Sequence, residues 1–155
     1  MEYTTIIKES FVVIGKEGSS RDGAGFVDKL WNKFYKDFKQ IKHLVKKDEE
    51  GNVVGIWGAM SDFKRTFAPW ENDFTKGLYL AGVECKEEAV APKGWVKWVI
   101  PSYEYICVEV VDEFTFEDVI YELEDEGIEL AGSVHDFICP ETGKNYMYFP
   151  IRKCE

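Results

Sequence analysis

Residues 114–151, FTFEDVIYELEDEGIELAGSVHDFICPETGKNYMYFPI, hold one helix and two strands in close succession. Thr115 with Asp118 has the spacing of a capping box, Val119, Ile120 and Leu123 supply a buried face, and Gly127 stops the helix. Strands are expected over 130–138 and 145–151. Between them Cys139-Pro140-Glu141-Thr142-Gly143-Lys144 is turn chemistry, so the pair reads as a hairpin.

Working outward, the segment before this stretch (95–111) is β-rich and bent at Pro101, which makes the second half strand, helix, strand, strand. The first half has the same order. Residues 4–14 are β-rich and end at Gly15, and 15–25 are turn-forming. A helix starts near Asp22 or Gly25, with Val27, Trp31, Phe34, Phe38 and Ile41 at helical spacing. Strands follow over 53–60 and 78–85. The loop between them carries Phe63, Phe67, Trp70 and Phe74, and loops of that length are commonly functional lids or partly disordered segments. The expectation is one α+β domain over 1–155, with pseudo-repeats at about 1–86 and 92–155. Duplicated β-α-β-β units would form a mostly antiparallel sheet with the helices packed on one face and a ligand cleft on the opposite face or at the pseudo-twofold seam.

Charge narrows the partners. The 29 acidic residues against 19 basic give a net charge of -10, which disfavours direct nucleic acid and anionic membranes. No apolar run approaches membrane-spanning length. No leader opens the chain, and the expected location is the cytoplasm. Cys85, Cys107, Cys139 and Cys154 form no CxxC pair, and His43 and His135 lack zinc spacing to them, so neither metal nor cofactor is expected. Gly15–Gly25 lacks the GK[ST] ending of a phosphate loop. Aromatic residues make up 15% of the chain, a composition that suits a ligand pocket as well as a core.

The candidate chemistry follows from these placements. Asp136 lies in an apolar strand on the face of Val134 and Ile138, and Glu84 shares a strand face with Leu80 and Gly82. Each carboxylate could attract a ligand cation; if the two converged they could activate a water. Trp57, between Gly55 and Gly58, and Tyr79, Tyr103, Tyr105 and Tyr148 are candidate stacking walls, as are Trp95 and Trp98, with Phe67 and Trp70 able to close a pocket from the loop. His135 alternates away from Asp136 and reads as structural.

Several of these segments resemble the GyrI-like, or bacterial effector-binding, domain family. They are Tyr79-Leu-Ala-Gly-Val-Glu84, Pro92-Lys-Gly94, Ile100-Pro-Ser-Tyr-Glu-Tyr105, Gly55-Ile-Trp-Gly58 and Val134-His-Asp-Phe137, in the family's order over about residues 4–152. The resemblance implies the duplicated fold and a pocket between the halves in which an acidic residue meets cationic drugs among aromatic rings. No helix-turn-helix precedes the domain here, so no DNA-binding domain is expected. The expected function is binding of aromatic, lipophilic or cationic compounds. Two alternatives also follow from the resemblance. One is a hydrolase of strained, cyclopropane-type electrophiles using Asp136 or Glu84; the other is a protein-interaction module for a DNA-acting partner such as gyrase.

Overall fold

The computed structural model describes residues 3–111 and 116–154. The elements in chain order are β1 (Thr4–Lys8), β2 (Phe11–Ser19), α1 (Phe26–Asp37), β3 (Ile56–Ser61), the single turn α2 (Glu71–Phe74), β4 (Leu78–Cys85), β5 (Val96–Ile100), β6 (Tyr103–Glu109), α3 (Phe116–Asp125), β7 (His135–Ile138) and β8 (Asn145–Lys153). The eight strands form one sheet in the order β1-β6-β8-β7-β3-β4-β2-β5, and every pairing is antiparallel. Thr115, the expected helix cap, lies outside the described residues.

The order is symmetric about the β3–β7 contact. In each half the strand before the helix pairs with the last strand of the half, and the strand after the helix lies at the seam. The outermost strands are exchanged: β1 precedes β2 in the chain but pairs with β6, while β5 precedes β6 but pairs with β2. The two crossing connections touch where Ser10 N–H donates to Ser102 Oγ at 2.7 Å.

Both helices pack on one face. α1 buries Leu30 and Phe34 against Val12, Ile14, Ala81 and Val83. α3 buries Val119 and Leu123 against Ile106, Val108, Met147 and Phe149. The other face carries a separate apolar layer that includes Phe11, Val13, Trp57, Leu80 and Trp98, continued by Tyr103 and Tyr105.

Three sequence expectations need correction. The first strand breaks at Glu9-Ser10, and β2 continues through Gly15 to Ser19. Gly15 is there for close approach, not for a turn. It faces Gly82 across β2–β4, and a Cβ at Gly15 would lie 2.2 Å from the Ala81 carbonyl oxygen. The segment at 95–111 is two strands with different partners, parted at Pro101-Ser102. The strand expected from 130 begins only at His135, because backbone groups just before it bond elsewhere: Ala131 N–H to Pro150 O and Ser133 N–H to Phe67 O.

Gly15→Ala forces the β2 and β4 backbones apart and is expected to destabilise the protein by about 1–3 kcal/mol. Urea unfolding measures this, and an unchanged midpoint would contradict the close approach.

Candidate ligand-binding site

At the seam, Gly58 of β3 stands opposite Asp136 of β7 on the helix face. The missing side chain at Gly58 makes room for the Tyr79 hydroxyl, whose oxygen lies 2.0 Å from where a Cβ would sit. Trp31 Nε1–H, from α1, donates to that hydroxyl at 3.1 Å. Burial, with the nearby Asp136 charge adding to it, pushes the Tyr79 pKa up, so the hydroxyl stays protonated.

Asp136 is the unusual group. It keeps partial exposure, yet surrounding protein desolvates its carboxyl and pushes the pKa up to about 6. No hydrogen bond or ion pair to it is formed among the described residues. Further along the same face, beyond Asp136 itself, a cavity of about 130 Å³ is lined by Met60, Pro69, Trp70, Phe74, Phe116 and Val134.

The 62–77 loop closes this side of the cleft. Trp70 covers Gly77 and donates from Nε1 to Leu78 O at 2.9 Å, while Phe74 stands edge-on to Phe116 of α3 with ring centres 5.2 Å apart. Arg65, Phe67, Asn72, Asp73 and Phe74 all have left-handed backbone, φ 53° to 62°. For non-glycine residues that conformation stores about 1–3 kcal/mol each and persists where surrounding contacts impose it. Asp62 supplies one such anchor, accepting from Thr66 N–H, Thr66 Oγ1 and Ser61 Oγ. Burial alone would raise the Asp62 pKa, but these bonds outweigh it and hold the carboxyl below its ordinary value.

The opposite, open face holds most of the other candidates. Trp57 is buried and donates from Nε1 to Glu84 Oε1 at 3.1 Å. Lys8 Nζ reaches the same carboxylate at 3.2 Å and lies 4.4 Å from the Phe11 ring centre. Trp57 also packs against Phe137 and Tyr148, with ring centres at 4.7 and 5.0 Å. Tyr103 and Tyr105 are buried beside Tyr148, and Phe67 stands edge-on to Trp98 at 5.7 Å. Trp95 and Trp98 have structural bonds, Trp95 Nε1–H to Gln40 and Trp98 Nε1–H to Glu17.

The sheet therefore divides the sequence-predicted set. Tyr79, Asp136 and Trp70 share the helix face; Trp57, Glu84, Tyr103, Tyr105, Tyr148 and Phe67 lie on the open face. Glu84 and Asp136 do not converge. Glu84 is on the face of Trp57, whereas Asp136 pairs with Gly58, one residue further along β3 and so on the reverse face. A water activated jointly by both carboxylates is thereby excluded. The cleft residues that sequence reasoning passed over are Trp31 and Met60, read only as a buried helix position and a strand end. Phe137 was passed over on the open face, although its alternation with Asp136 was visible.

No family model matches the chain, and no curated protein matches it. Solved structures do. The protein SAV2435 bound to tetraphenylphosphonium is similar at 15% identity and a TM-score of 0.63, over 98% of this chain and 94% of that one. The EcmrR C-terminal domain matches at 12% identity and 0.62, over 99% and 100%. An integron cassette protein from the mobile metagenome of Vibrio cholerae matches at 14% and 0.52, over 97% and 95%. This chain thus has the fold that the GyrI-like resemblance implies. No described helix is long and apolar enough to cross a membrane.

The raised Asp136 pKa has a consequence for stability. Between its ordinary value of 3.8 and about 6, the folded protein holds a proton that the unfolded chain has released. Asp136 therefore lowers stability as pH rises through this window, and the loss is complete above it. Asp136→Asn is expected to gain about 1–3 kcal/mol at pH 7.5 and nothing at pH 4, read from urea midpoints at the two pH values. An equal effect at both would show that the carboxyl is not desolvated.

Proposed function

We propose that the chain binds aromatic, lipophilic cations in the helix-face cleft, with Asp136 as the counter-charge and Tyr79 and Trp31 as aromatic wall. The observation that carries this reading is a desolvated carboxylate without a protein partner on the helix face, close to the hydrogen-bonded Trp31 and Tyr79. Such a group favours a ligand that brings its own positive charge and spreads it over apolar surface. The similar fold of SAV2435, which was solved with tetraphenylphosphonium, supports the same ligand class.

The cleft is closed as it stands. Its 130 Å³ cavity is smaller than the roughly 300–1,000 Å³ of drug-sized sites. Trp70 and Phe74 wall it from a segment with strained backbone. Displacing them would relieve strain while opening the site, so ligand entry is coupled to movement of the 69–76 segment.

Binding should follow the ionisation of Asp136. Tetraphenylphosphonium, followed by tryptophan fluorescence, is expected to bind about tenfold more weakly at pH 5 than at pH 7.5, since below about 6 a proton occupies the carboxylate. Asp136→Asn should bind weakly at both values. Equal affinity of the variant and the parent at pH 7.5 would remove the reading.

A second reading uses the same group. A carboxyl titrating near 6 beside a protonated Tyr79 hydroxyl can take a proton from a water attacking a strained electrophile. Mass spectrometry separates the two: recovery of intact ligand supports binding, and a gain of one water supports hydrolysis.

A further inference from the structure

Two hydrogen-bonding atoms within the open face have nothing to bond among the described residues. They are Tyr105 Oη and His135 Nε2, on buried side chains whose ring centres are 6.4 Å apart. Buried polar atoms are nearly always paired, so two in one layer need an account.

The state of His135 is set by its other nitrogen. Met60 N–H donates to Nδ1 at 3.0 Å, which leaves the ring proton on Nε2. Burial keeps the imidazole neutral, pushing its pKa down to about 3, and keeps the Tyr105 hydroxyl protonated by raising its pKa. The pair therefore presents an N–H and an O–H, neither carrying a charge that could compensate a ligand ion. An uncharged acceptor oxygen suits both.

On the same face, one side chain removed from the pair, lies a groove of about 780 Å³. It is lined by Ile6, Cys107, Phe137, Tyr146 and Tyr148, among others. Tyr148 joins groove and pair: in the sheet it stands opposite Cys107 on β6 and His135 on β7, and its ring centre is 5.4 Å from that of Tyr105. It is half-buried. The volume fits a drug-sized molecule, and the residues named here differ from those of the Asp136 cleft.

We propose that this groove is a second ligand site, for flat, uncharged aromatic molecules bearing a carbonyl or comparable acceptor oxygen. Phe137 and Tyr148 supply ring faces, Ile6 an aliphatic edge, and the oxygen passes behind Tyr148 to accept from Tyr105 O–H and His135 Nε2–H.

The test compares 2-acetylnaphthalene with 2-ethylnaphthalene, its counterpart without the oxygen, by calorimetry on the parent protein, Tyr105→Phe and Asp136→Asn. The parent is expected to prefer the ketone by about 3–10-fold, the usual worth of a hydrogen bond. Tyr105→Phe should narrow that preference and leave tetraphenylphosphonium affinity unchanged; Asp136→Asn should do the reverse. In the parent protein the His135 Nε2–H proton resonance should also move when ketone is added, a readout independent of any variant. A parent without preference for the ketone, a preference untouched in Tyr105→Phe, or an unmoved His135 resonance would each overturn the proposal. So would a crystal soaked in ketone in which a lone water bridges the two atoms. Loss of cation binding in Asp136→Asn with ketone binding retained supports two separate sites.

Discussion

Three residue pairs, Ile56–Ile138, Trp57–Phe137 and Gly58–Asp136, join the halves of the sheet, and the rest of the molecule depends on their register. Side chains in a strand alternate in direction, so this register assigns every candidate residue to a face. It brings Trp57 and Phe137 together on the open side. It also sets Asp136 beside the residue whose missing side chain admits the Tyr79 hydroxyl. A slip by one position would bring Asp136 and Trp57 onto one face, either the carboxylate into the aromatic layer or the indole beneath the helices. The site is thus a consequence of pairing across the seam more than of any one strand.

The two acidic residues singled out from the sequence show how differently one protein can hold a carboxylate. Glu84 is almost wholly buried, 1% exposed, and has the Trp57 indole N–H and the Lys8 ammonium beside it. Removing one partner from such a pair leaves an uncompensated charge, so Glu84 and Lys8 are to be understood together as framework. Asp136 has no such arrangement, and its raised pKa records the energy cost. A protein retains an uncompensated group most readily where a ligand completes it. Burial alone would have ranked Glu84 first; the presence or absence of a partner reverses that order.

Much of the fold was legible because its signals are local. The α1 face, the β7–β8 hairpin and the direction of Asp136 relative to His135 follow from spacing within a few residues. The crossing of β1 and β5 was not legible, since Glu9-Ser10 looks like a continuation and Pro101 like a bend; only pairing with strands about a hundred residues away distinguishes them. Gly15 misled for a related reason. A glycine that permits a turn and one that permits two backbones to approach look alike until the facing residue, Gly82, is known. The same limit applied to the site: the residue types were visible, but their division between two faces depended on the seam register. Trp31 could be recognised as a cleft residue only once its indole was seen to meet Tyr79.

The exchanged outer strands also bear on how the chain is made. During synthesis the residues of β1 emerge first, yet their partners in β6 follow about a hundred positions later. At roughly 5–20 residues per second, that is on the order of 5–20 s in which this edge segment waits unpaired on the ribosome. The first half is meanwhile also without β5, which seals its outer edge. Neither half can complete its own sheet until the border strand supplied by the other half is at hand. The same arrangement suits a two-piece protein: divided between β4 and β5, each fragment carries the border strand that the other lacks.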